Sequence, residues 1–189
     1  MHRNAAATLL GISRAGVDKL AASGILPDTR LLPADAVRAL ANRSRLAVSS
    51  GELTVLRTAA RDHAYDEDRD WIGFHVDHTD TELEETSLRW WRSDPNKILS
   101  NELYTVTVAT APAATYKITG VAGSMQRPGE QGMRYHYEGE LLARLSRDDD
   151  AGTIVIDYRT VDPTLRHLTQ TVMESRIFTS SGGPIGYLN

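Results

Sequence analysis

Residues 3–20 read RNAAATLLGISRAGVDKL, and their spacing decides how the first part of the chain folds. Ala6, Ala7 and Leu10 share one side of an expected first helix over residues 3–11. Gly11 stands where a turn needs a residue tolerant of positive φ, and Ile12 packs beneath it. Ser13 is placed to cap a second helix over residues 13–23, which turns Val17 and Leu20 inward and ends at Gly24. A small residue at the crossing point, a turn glycine and an apolar residue six positions on form the pattern of a helix-turn-helix. In such a unit the N-terminal residues of the second helix lead into a DNA major groove.

The 189 residues suffice for one domain of ordinary size and a small second one. No apolar run approaches the roughly 20 residues that span a bilayer. The start, MHRNAAATLLG, lacks the apolar core and cleavage site of a signal peptide, so none is expected. The chain has no cysteine, which excludes disulfides and thiolate metal sites and fits a reducing cytosol. Its net charge of −4 is unevenly divided. Residues 1–63 hold nine Lys/Arg against five Asp/Glu, a net +4; residues 64–102 hold four against eleven, a net −7; residues 103–189 hold eight against nine. That asymmetry suits an N-terminal part that meets a polyanion, although +4 over sixty residues is also ordinary.

Beyond the second helix, residues 28–30 form at most the tip of a short wing. PADAVRALANR, residues 33–43, reads as a third helix with Leu32, Ala36, Val37 and Leu40 as its apolar stripe. Ser49, Ser50 and Gly51 mark a linker, giving a helix-turn-helix domain over 1–48 and a second domain over 52–189. In the second, ELTVLRT (52–58) reads as a strand or a helix, and WIGFHV (71–76) as a strand. The acidic run 66–70 reads as a solvated loop. Residues 79–92 read as a helix with Glu82, Glu84 and Glu85 in its first turn and Arg89 and Arg92 in its last, ended by Asp94-Pro95. Strands are expected over 103–109 and 114–118, joined as a hairpin, with a polar loop at 120–132. Further strands are expected from residue 133, over 153–158 and over 172–178, and a loose tail over 180–189. The class is α+β overall: an all-α N-terminal domain, then a mixed α+β domain with a mostly antiparallel sheet.

Ser13, Arg14, Ala15, Gly16 and Lys19 are expected on the leading end and exposed face of the second helix. Arg14 suits a guanine edge, Lys19 a base or phosphate, and Arg3 and Arg30 flank the helix as phosphate clamps. One such helix reads few base pairs, so a dimer or a second reader is needed. No dimerisation helix is evident. Arg127 in the loop, Arg134 and His136 on one face of the following strand, and Lys117 on the neighbouring strand are candidates for that second contact; an ordinary polar strand is the other reading. His75, Asp77, His78 and Asp80 invite a metal reading, but His78 points away from the others and no ligand motif is present, so no metal or cofactor is expected. No nucleophile motif or P-loop occurs, and no catalytic residue is assigned.

The first 45 residues resemble the small winged domains of excisionases and MerR-type regulators, without their basic glycine-bearing hairpin. With the domain order, the length and the motif at 3–20, the whole chain resembles the immunity repressors of temperate mycobacteriophages. The resemblance implies a non-enzymatic transcriptional repressor in a bacterial cytoplasm. It implies a monomer on double-stranded DNA that binds an asymmetric operator through two parts. A ligand-sensing regulator, with a ligand between the sheet and the Trp90-Trp91 helix, and an excision or recombination accessory factor are the alternatives.

Overall fold

A computed structural model describes residues 1–65, 69–148, 150–180 and 183–189. Most of the acidic run expected as a loop, residues 66–68, therefore lies outside the described residues. Three helices open the chain: α1 (Arg3–Leu10), α2 (Arg14–Ala22) and α3 (Ala34–Ala41). Among the described residues no strand lies between α2 and α3. The remainder is β1 (Leu53–Thr58), β2 (Asp62–His63), β3 (Trp71–Ile72), α4 (Asp80–Leu88), β4 (Trp91–Arg92), α5 (Pro95–Ser100) and β5 (Tyr104–Val108). It continues with β6 (Ala111–Met125), β7 (Arg134–Arg147), β8 (Ile154–Tyr158), α6 (Pro163–Met173) and β9 (Ile185–Leu188).

Seven strands form one sheet in the order β4-β7-β6-β5-β1-β9, with β8 on β7 beside β4's side of the strand. Only β1 and β5 run parallel; the other ladders of this sheet are antiparallel. The β6–β7 ladder shifts register at Thr115/Tyr116, Ile118/Gly120 and Val121/Gly123. Bulges of this kind bend strands and add twist, and the sheet curls into a nearly closed, barrel-like form. Alternation along the strands decides what covers each face. Leu53, Val55, Leu103 and Leu142 pack with Val172 and Ile177 beneath α6. Leu56, Tyr104, Val106 and Tyr116 pack with Leu83, Leu88 and Ile98 of α4 and α5. The same core continues without a break into Ala6, Val17, Leu20, Val37 and Leu40 of the three-helix unit. The backbone joins the two parts as well: Leu46 N–H donates to the Arg176 carbonyl and Arg176 N–H to the Ser44 carbonyl, both at 2.8 Å.

Several expected elements are corrected. The helix expected over 79–92 stops at Leu88, because Arg89 is extended and Trp91 pairs with Tyr135 on β7. Its start is as read: Thr79 and Glu82 form a reciprocal capping box. The strand expected over 71–76 keeps only two residues. Gly73 turns the chain at φ +81°, with its Cα so near the Ala60 carbonyl that a Cβ would lie 2.4 Å from that oxygen. The polar loop expected from residue 120 is strand up to Met125, paired with β7. The strand expected over 172–178 is absent: residues 172–173 end α6, which Asp162 caps and Pro163 opens, and beyond it Arg176 makes only an isolated bridge to Arg45. Within the tail expected to be loose, Ile185–Leu188 forms β9, paired with β1.

Between β3 and α4, His78 is 3% exposed and neither ring nitrogen has a hydrogen-bond partner among the described residues. Burial pushes its pKa down to about 4; Glu82 opposes the shift, and Arg61, His75 and Arg144 add to it. The ring is therefore neutral in the fold and protonates first in the unfolded chain. Stability that is complete above the unfolded value of about 6.5 falls as the pH drops toward 4. Urea unfolding at pH 7 and pH 5 should differ by about 2 kcal/mol from this residue, with His75, also lowered by burial, adding in the same direction. In His78→Leu the pH-dependent loss should shrink by that amount; an unchanged pH profile would refute the assignment.

Candidate nucleic-acid interface

The stretch at 3–20 folds from local signals. Gly11 closes α1 at φ 61°, and Ile12 N–H donates to the Ala7 carbonyl at 3.1 Å. The Ser13 side chain accepts from Gly16 N–H at 3.1 Å and starts α2. Ala6, Ala7, Leu10, Val17 and Leu20 are buried as the spacing requires. Gly16 is buried rather than on the exposed face: a Cβ there would lie 3.2 Å from the Ile12 side chain, so its smallness serves the turn.

The outward side of α2 presents Arg14, Ala15 and Lys19. The Arg14 side chain is 67% exposed and only loosely paired, 3.9 Å from Asp18. Arg3, expected as a phosphate clamp, instead ties the unit together, with ion pairs of 2.8 Å to Asp18 and 2.6 Å to Asp28. Arg30 is exposed on the segment that follows α2.

Of the candidates for a second contact, Arg134, Arg127 and His136 already have partners, and Lys117 is exposed. Lys117 stands opposite Glu140 in the β6–β7 ladder. Arg134 donates to both carboxylate oxygens of Glu130, at 2.9 and 3.0 Å, and to the Trp90 carbonyl at 3.0 Å. Arg127 lies 4.0 Å from the same carboxylate, and the His136 ring meets Trp90 edge-on at 5.5 Å. The structure brings Arg127, Arg134 and His136 into one neighbourhood with Trp90 and Glu130, while Lys117 stands apart, eight residues along β6 from the Met125 that pairs with Arg134.

What does lie beside α2 is a different group. A cleft of about 330 Å³ separates Ser13, Ala15 and Lys19 from Ala109, Thr110 and Phe178. Ala109 takes φ 54° in the β5–β6 turn that lines this cleft. The Arg45 and Arg176 guanidinium carbons lie 5.1 and 5.0 Å from the Phe178 ring centroid. Arg176 is buried and donates to the Leu10 carbonyl, whereas Arg45 is exposed. Sequence reading missed this group because Arg45 looked like the end of the third helix and Phe178 like part of a last strand. Only the fold, through the pairing of residues 44–46 with Arg176, sets them next to the helix.

The histidine–carboxylate stretch is committed to packing and ion pairs. Asp77 pairs with Arg147 at 3.0 Å, and Asp80 with Arg144 at 2.7 Å and Arg159 at 3.0 Å. Among the described residues no group of three His, Asp or Glu is placed to hold a metal ion, and no helix is long and apolar enough to cross a membrane. Comparison with known proteins gives no match: no family model fits the chain, and no curated protein or solved structure matches it.

Proposed function

We propose that the chain is a sequence-specific, non-enzymatic DNA-binding transcriptional repressor of the phage-immunity type, acting as a monomer on an asymmetric operator. The observation that carries this reading is the outward side of α2. A capped helix start presents an exposed Arg14, with Ala15 small enough for close approach and Lys19 one turn on. Arg14 offers the two-pronged donor that matches a guanine edge, and Lys19 a phosphate or base contact. Arg45, with Phe178 beneath it, and Arg30 stand where neighbouring phosphates run. The second contact then comes from the edge of the sheet body next to α2. Arg134, on a different part of the sheet, is already taken up by Glu130.

The test is selection of bound duplexes from a random pool by the full chain, with sedimentation of the complex. One enriched site without two-fold symmetry, occupied by one chain, is expected. A palindromic site filled by two chains would replace the monomer reading with a dimeric one.

A further inference from the structure

A cleft of about 710 Å³ lies away from the outward side of α2, between the three-helix unit and the β7–β8 hairpin. Its size is that of small-molecule sites. The walls are mainly apolar: Ile25, Leu26 and Leu40 on one side, Leu145, Ile154 and Ile156 on the other. Its polar groups are unequally satisfied. Asp28 is held by Arg3, and Asp77 by Arg147 with His75 at 3.5 Å. Arg43 is different. It is half-buried at the cleft wall, and its Nη1 donates to the Met173 carbonyl at 3.1 Å. Glu174 and Tyr158 act on it through space only, and burial lowers its pKa from the ordinary arginine value. A half-buried guanidinium beside an apolar cleft, with one hydrogen bond among the described residues, suits an anion, and its planar fork matches a carboxylate.

We propose that this cleft binds an apolar organic carboxylate, with its hydrocarbon body between α3 and β8 and its carboxylate on Arg43. Among the described residues that line the cleft, Arg43 is the one guanidinium without a carboxylate partner, which favours a monoanion over a phosphate ester. Ala21, Ala22 and Gly24, at the C-terminal end of α2, form part of the wall, so an occupant bears on the seat of that helix.

Calorimetric titration of the full chain, without DNA, tests the site. The probes are 2-naphthoate and octanoate, with 2-naphthamide and octanamide as neutral isosteres. At least one carboxylate should bind below millimolar concentration, tenfold or more tighter than its amide. Arg43→Gln should remove that preference while leaving the amide's affinity unchanged, and Arg43→Lys should restore part of it. Because Arg43 also holds the Met173 carbonyl, a second variant guards against simple unfolding. Ala39→Trp changes an exposed residue on the cleft wall and should abolish binding of both probe types with the fold intact. No binding of either carboxylate, equal affinity for acid and amide, or binding unaffected by Ala39→Trp would overturn the proposal. None of these outcomes depends on DNA recognition, so the two readings fail separately.

Discussion

Replacing Arg144 by Met should lower the unfolding free energy by about 3–5 kcal/mol, the range for breaking a buried charge network by removing one partner. Arg144 is 4% exposed. Its guanidinium reaches Asp80 at 2.7 Å, the Val76 carbonyl at 3.1 Å and the His78 carbonyl at 2.5 Å. Its hydrogen bond holds the Asp80 carboxyl below the usual carboxylate range, and Arg159 adds to that effect. Methionine would fill much of the volume but leave two carbonyls without this donor. The consequence reaches α2, because Val76 N–H donates to the Ser23 carbonyl at 3.0 Å and the Val76 side chain packs directly under Gly24. Urea midpoints give the comparison. Arg159→Met, which removes the more exposed partner of the same carboxylate, should cost no more than about 1 kcal/mol. Equal losses in the two variants would show that Arg144 does no more than an exposed pair does.

Removing Arg14 and Lys19 together should cost roughly 2.5–6 kcal/mol of specific binding to the selected duplex, a loss of affinity of about sixtyfold or more. The figure combines a two-pronged base contact of about 1–3 kcal/mol with a charged hydrogen bond of about 1.5–3. Stability should hardly change, since both side chains are exposed and Arg14 has only the 3.9 Å approach to Asp18. Binding loss therefore reports contact, not unfolding. Arg45→Ala should weaken binding to all sequences alike, as a phosphate contact does, and lower the salt dependence by about one counterion. The same substitutions at Lys117 or Arg134 should have smaller effects, because Glu140 and Glu130 already face those cations.

The three-helix unit was legible because its signals are local. Gly11, Ser13, Gly24 and Pro33 punctuate helices whose buried residues recur at helical spacing. The sheet body was less so. Asp94-Pro95 reads as a helix stop, yet there, as at Asp162-Pro163, the Asp caps a helix and the Pro opens one, the same dipeptide serving either use. Residues 120–125, GVAGSM, carry two glycines and no run of β-branched residues, and they are strand because β7 lies alongside. β9 finds β1 across more than a hundred residues, which no local pattern announces. The interface shows the same divide. Exposure of Arg14 and Lys19 follows from helical periodicity, but the capture of Arg3 by Asp18 and Asp28 depends on how the chain returns after α2. Trp90 and Trp91 lie outside α4, so they flank no ligand from a helix. Trp91 donates to the Ser87 carbonyl at 2.8 Å and packs on the core, while Trp90 meets His136 and Gly123.

DNA recognition by α2 is tested most directly by the affinity of the intact chain for the selected duplex and for a shuffled duplex of the same composition, at one fixed salt concentration. The account predicts that the selected duplex binds at least about a thousandfold more tightly, and that the double Arg14→Ala, Lys19→Ala variant brings the two affinities close together. Equal affinity of the unaltered chain for both duplexes, or a variant that keeps its preference, would contradict it.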